Sequence, residues 1–96
     1  MKQVKGVKVY KVTEKLHIFP TEAAWTYVPI PLSKVPDVPR GGWGSIPVNV
    51  TVGKTTWRTS IFPMRKDNYF VPIKRLVRDK EGLFVGEAVK LTYSVA

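Results

Sequence analysis

Ile46-Pro47-Val48-Asn49-Val50-Thr51-Val52-Gly53-Lys54-Thr55-Thr56-Trp57-Arg58-Thr59-Ser60-Ile61 is the stretch that decides the fold. It lies inside a strand expected over residues 43–52 and the strand that follows. Ile46, Val48, Val50 and Val52 alternate with Pro47, Asn49 and Thr51, the period of a half-buried strand. Gly53-Lys54 then fits a two-residue hairpin turn of type II′, with Gly at the first central position. The turn fixes register. Val52 should oppose Thr55, Val50 Trp57, Val48 Thr59 and Ile46 Ile61. The core face is then Ile46, Val48, Val50, Val52, Trp57, Thr59 and Ile61, and Arg58 lies on the other face opposite Asn49. One more residue in the turn would exchange Trp57 and Arg58.

Downstream, Phe62-Pro63 ends the second strand, and residues 64–68 form a charged turn. Residues 69–71 resume a strand. Pro72 is suited to the first position of a helix. Ile73, Leu76 and Val77 would make its apolar stripe, and Gly82 would end it. Residues 83–95 predict a last strand, with Val89, Leu91 and Tyr93 on one side.

Upstream, residues 25–31 (WTYVPIP) read as a strand, and Pro29 places that part at an edge, a bulge or a strand end. Residues 32–42, with Pro36, Pro39, Gly41 and Gly42, read as a surface loop. Residues 13–24 read as a loop containing a short strand at Leu16–Phe19. Residues 4–12 read as a strand with a bulge at Gly6 and a solvated edge of Lys. Trp57 and Trp25 are both read as core. About six strands and one short helix predict a mainly β fold. The expected architecture is a small closed or nearly closed barrel, one domain over residues 1–96.

The composition limits the chemistry. The chain has 96 residues and no Cys, which removes disulfides, thiolate nucleophiles and Cys-based metal sites. His17 is the only His, so no His pair can hold a metal. The seven acidic residues are scattered over expected loops, turns and helix ends. No nucleophile elbow surrounds any Ser, and Gly41-Gly42-Trp43-Gly44 lacks the strand before and the Lys-Ser/Thr after that a phosphate loop needs. No catalytic residue, cofactor site or metal site is assigned, and an enzyme is not expected. No apolar run reaches the length of a membrane span, and the Lys-rich start is no secretory signal. A cytoplasmic protein is the expectation.

Sixteen Lys and Arg against seven Asp and Glu give a net charge of +9. Such a balance suits an anionic partner, and it suits solubility equally. The candidate surface is Arg40, Trp43, Arg58, Arg65, Lys66, Lys74, Arg75 and Arg78. It interleaves cations with an aromatic, as barrels that bind single-stranded nucleic acid do. Two alternatives stay open: a small-molecule barrel with a pocket near Arg40–Trp43, and a structural or partner-docking module.

In order along the chain stand Trp25-Thr26-Tyr27-Val28-Pro29-Ile30-Pro31 and Arg40-Gly41-Gly42-Trp43-Gly44-Ser45-Ile46-Pro47-Val48. Thr56-Trp57-Arg58-Thr59-Ser60-Ile61-Phe62-Pro63, Val71-Pro72-Ile73-Lys74 and Val85-Gly86-Glu87-Ala88-Val89 follow. This succession resembles the prokaryotic family known as domain of unknown function 1905, across about residues 5–95. The resemblance implies a small closed β-barrel and no established reaction. Glu87 stands where relatives usually carry Asp. Val71-Pro72 with Val85-Gly86-Glu87-Ala88-Val89 also resembles swapped-hairpin DNA-binding proteins of the transition-state-regulator type, which build a barrel from a dimer. Ninety-six residues supply every strand from one chain, so a monomeric barrel is preferred.

Overall fold

The computed structural model describes residues 8–21 and 25–96. In chain order its strands are Tyr10–Lys15 (β1), His17–Ile18 (β2), Thr26–Ile30 (β3), Ile46–Val52 (β4), Thr55–Pro63 (β5), Tyr69–Pro72 (β6) and Ala88–Val95 (β7). One α-helix, Arg75–Glu81 (α1), lies between β6 and β7, and single 3₁₀ turns occupy Leu32–Lys34 and Gly42–Gly44.

The β4–β5 hairpin has the expected register. Val52 pairs with Thr55, Val50 with Trp57, Val48 with Thr59 and Ile46 with Ile61. Gly53 has φ +57°, a backbone setting that favours glycine. A side chain there would also collide with the Glu81 carboxylate. That carboxylate accepts a hydrogen bond from the Thr55 hydroxyl (2.6 Å) and a longer one from the Lys54 N–H (3.3 Å). The end of α1 is thereby tied to the hairpin turn. Ile46, Val48, Val50 and Ile61 are fully buried, whereas Trp57 packs against the core from its margin.

All strand pairs are antiparallel, in the order β1-β7-β4-β5-β6-β3-β2. The two outermost strands of that order are consecutive in the chain. Only Leu16 separates them, so the sheet must roll up to bring its edges together. Leu16 is 1% exposed. Its N–H donates to Glu87 O (2.9 Å) and its carbonyl accepts from the Gly86 N–H (2.8 Å). One chain thus supplies every strand of a nearly closed barrel. Val28, Ile30, Val71, Val89 and Leu91 fill its interior with the hairpin valines.

Closure is incomplete on one side. β5 pairs with β6 only at Phe62–Phe70 and Pro63–Tyr69. Continuing the ladder would place Pro72 opposite Ser60, and Pro72 has no N–H to donate. The chain instead leaves the sheet. The Ile73 N–H donates to Thr26 O (2.9 Å), and the Thr26 hydroxyl donates to Ile73 O (2.6 Å). The first part of β5 is left beside a gap.

Several boundaries differ from the sequence reading. The described residues hold seven strands because the short strand within Leu16–Phe19 forms as His17–Ile18. β1 starts at Tyr10 and runs to Lys15, later than expected; the proposed bulge at Gly6 lies outside the described residues. β4 starts at Ile46, after the Gly42–Gly44 turn. Pro72 ends β6 and does not begin the helix, which starts at Arg75 after Lys74. The helix does stop at Gly82, whose φ of +63° closes it. Leu76 is 58% exposed, because a helix of seven residues turns only Val77 fully inward. β7 starts at Ala88 with Val89, Leu91 and Tyr93 inward as expected. Trp25 is not core: it is 59% exposed, and β3 buries the opposite face through Thr26, Val28 and Ile30.

Tyr93 joins the core to the Leu32–Lys34 turn. Its ring stacks on Tyr10 with centroids 5.3 Å apart, and its hydroxyl donates to Lys34 O (2.6 Å). Burial, with a smaller effect from Tyr10, holds its pKa well above the usual phenol range. A group whose folded pKa is raised contributes stability below its unfolded pKa and loses it as pH rises. Denaturant unfolding should therefore show stability falling above about pH 10, more steeply than in Tyr93→Phe, which cannot ionise there. In the same assay at neutral pH, Leu16→Ala should cost ~3 kcal/mol through a cavity at the closure. A loss below ~1 kcal/mol would mean that the barrel does not depend on that contact.

Candidate functional site

The gap between β5 and β6 opens into a groove of about 770 Å³. Its walls come from four parts of the chain. Trp57, Arg58 and Thr59 belong to β5, Trp25 and Thr26 to the start of β3, and Ile18 to β2; Lys74, Arg75 and Arg78 follow β6. The β3–β6 pairing and the two Thr26–Ile73 hydrogen bonds bring Trp25 to residues some fifty positions later.

The groove is polar at its rim and aromatic in its walls. Arg58, Lys74 and Arg75 are exposed and Arg78 is half-buried. Arg75 approaches Asp79 at 3.8 Å, the one ion pair among the described residues. Both partners are exposed, so this pair leaves most of the rim charge uncompensated. The Nε of Arg78 is buried and has no hydrogen-bond partner among the described residues. A buried charged donor without an acceptor is unfavourable.

The remaining candidates lie at the far end of β5. Arg65 and Lys66 are exposed in the turn after Pro63. The Arg40 guanidinium carbon lies 5.3 Å from the centre of the Tyr69 ring, a cation–π contact. Trp43 is 92% exposed and has φ +63°, a left-handed setting unusual for a bulky residue. Hydrogen bonds on both sides hold it there: Gly41 N–H to Ser45 O (2.7 Å), Ser45 N–H to Gly42 O (3.1 Å) and Ser45 hydroxyl to Gly42 O (2.7 Å). This turn packs against the end of β5. A second, smaller cavity of about 240 Å³ lies near it, lined by Tyr27, Ile30, Met64, Asn68, Tyr69 and Glu14. Neither Arg40 nor Trp43 lines either cavity, although Arg40 covers Tyr69.

Thus the structure brings Arg58, Lys74, Arg75 and Arg78 together and places Arg40, Trp43, Arg65 and Lys66 in a second group. Sequence reasoning missed the aromatic walls of the groove, having assigned Trp25 and Trp57 to the core. The available signal was Pro72, which stops the ladder beside them. On the outer face of the sheet, Tyr27, Phe19, His17 and Phe70 form a further cluster. Tyr27 stacks on Phe19 (4.2 Å) and on His17 (5.4 Å), and Phe70 meets Phe19 edge-on. His17 is therefore engaged in packing. The described residues include no group of three or more His, Cys, Asp or Glu placed to hold a metal ion. None of their helices is long and apolar enough to cross a membrane.

No curated protein and no solved structure matches the chain. The sequence from residue 13 to residue 92 matches the family described as Domain of unknown function (DUF1905). A match over that much of a nearly closed barrel whose strands all come from one chain makes this protein a member of the DUF1905 family.

Proposed function

We infer that this protein is a non-enzymatic binding module whose β5–β6 groove takes an anionic polymer, with single-stranded nucleic acid as the favoured partner. One observation carries the reading: Arg58, Lys74, Arg75 and Arg78 share a groove with Trp25 and Trp57. Cations track a phosphate backbone, and aromatic rings stack bases without regard to sequence. Trp43, at the other end of β5 and outside the groove lining, is a second candidate contact for a strand long enough to reach it. A strained and almost fully exposed Trp contributes nothing to the core, which favours a role in contact. A duplex is less suited, because its bases are already stacked on one another.

A second reading has a narrower basis. The depression beside Tyr69 lies below Arg40 and would suit a small ligand. Its volume of about 240 Å³ is less than ligand sites usually offer, so the groove reading is preferred.

Fluorescence anisotropy with a labelled deoxythymidine octamer tests the groove. If its four cations each neutralise a phosphate, log affinity should fall against log salt with a slope of about −2.8. Arg58→Gln and Lys74→Gln should each reduce that slope by about 0.7, and Lys90→Gln on β7 should leave it unchanged. Absence of salt-sensitive binding at micromolar protein would sink the reading. Trp43→Gly relieves the left-handed strain, so folding stability should hold or rise by up to ~1 kcal/mol. Octamer affinity should fall about tenfold, as the loss of one stacked base requires. An unchanged affinity would remove Trp43 as a contact.

A further inference from the structure

We propose that the open edge of β5 reads the bases of a single strand: the outward backbone groups of Thr56, Arg58 and Ser60 hydrogen-bond to base edges stacked beside Trp25 and Trp57. This rests on the groove reading above and adds how the groove selects its polymer.

The direction of these backbone groups follows from register. A two-residue turn makes Val52–Thr55 a hydrogen-bonded pair, and bonding then alternates along the hairpin. Thr55, Trp57, Thr59 and Ile61 bond inward to β4. Lys54, Thr56, Arg58, Ser60, Phe62 and Met64 point the other way. Three contacts confirm the parity. The Lys54 N–H reaches Glu81 Oε2, the Met64 N–H donates to Asn68 O (2.7 Å), and Pro47 O, opposite Ser60, accepts from Ala96 on the far side of β4. Phe62 is covered by its pairing with Phe70. No ladder partner stands beside Thr56, Arg58 or Ser60 among the described residues.

An edge without ladder partners therefore runs for about 13 Å from Thr56 to Ser60, with alternate N–H donors and C=O acceptors at a rise of roughly 3.3 Å per residue; Arg58 at its middle lines the groove, while Thr56 and Ser60 flank that lining. Such an edge normally attracts another strand. Here it is flanked by rings and cations. Trp25 on one wall and Trp57 on the other supply faces on which planar groups stack, while the rim charges hold a backbone of phosphates at a distance from the edge. Donors and acceptors in the plane of a stacked base match what base edges present. A duplex has those edges paired, and a strand without bases has none. An acidic peptide would satisfy the edge and the charge, yet would leave the two indole faces without a stacking partner.

The test compares a deoxythymidine octamer with an abasic octamer of equal charge, using the full chain. Wild type should prefer the octamer with bases by about tenfold. Amide hydrogen exchange at Thr56, Arg58 and Ser60 should slow on binding. Ser60→Pro removes one outward N–H and keeps the β4 ladder, as Pro47 does opposite it. This variant should lose threefold or more of the preference, whereas Ser60→Ala should keep it. If Ser60→Pro does not fold, exchange on wild type decides. No binding to either octamer overturns the groove reading itself. Equal binding to both, with those three amides unprotected, overturns base reading and leaves the groove reading in place. Stronger protection by poly-glutamate than by the octamer also overturns it, in favour of an added peptide strand.

Discussion

Closure through Leu16 is the constraint on which the rest of the barrel depends. β1 and β2 stand at opposite ends of the hydrogen-bonded order, yet one residue joins them. A flat sheet cannot satisfy that connection. The sheet must curl until both edges meet, and the buried Leu16 side chain with its two backbone bonds to Gly86 and Glu87 fastens the seam. Edges exposed by so many Val-rich strands invite association between chains, and curling removes most of them. The exception is the side away from the seam, where β6 leaves β5.

That exception has a chemical cause. Outward groups of β5 at Phe62 and Met64 are met by Phe70 and Asn68. The next position on β6 is Pro72, which has no proton to give. Ile73 then turns to Thr26, and α1 begins after Lys74. One proline therefore ends a ladder, opens a groove and directs a basic segment along its rim. Glu81 at the far end of α1 fixes the helix to the hairpin turn, so the rim is held at both ends. The helix is too short to be stable alone, and these attachments are what position Arg75 and Arg78.

How much of this was legible depends on the kind of signal. The hairpin was readable in full because a period of two and a two-residue turn specify register together. β7 was readable by its alternation. β3 was not, because both of its faces look mixed: Trp25 and Tyr27 suggest a core face more strongly than Thr26 does. The buried Thr26 is settled by its hydrogen bonds to Ile73, a contact across 47 residues that no local pattern announces. Leu76 misled for a similar reason, since helical spacing says which residues share a face but not how far the face extends. The candidate site was legible as composition only. Eight residues along Arg40–Arg78 stood out by charge and aromatic character, and the structure sorts them into two groups according to which end of β5 they border.

The sorting bears on what a basic surface means. Charge spread evenly over a barrel serves solubility, and the same charge beside unsatisfied hydrogen-bonding groups does more. At the groove three features coincide: rim cations, the exposed Trp25 with the half-buried Trp57, and a strand edge left without a ladder partner among the described residues. Each alone has an ordinary explanation. Surface Lys and Arg are common, a margin Trp can be incomplete core, and an edge can be left by a proline. Together they require one another to be explained, because an open edge flanked by apolar rings is an aggregation hazard unless something occupies it or charge repels it. Like charges beside an open edge disfavour strand addition by a second copy and favour an anion, which is the basis of the proposal made above. The proposed anionic partner and the proposed base-reading edge thus draw on the same four residues, Arg58, Lys74, Arg75 and Arg78.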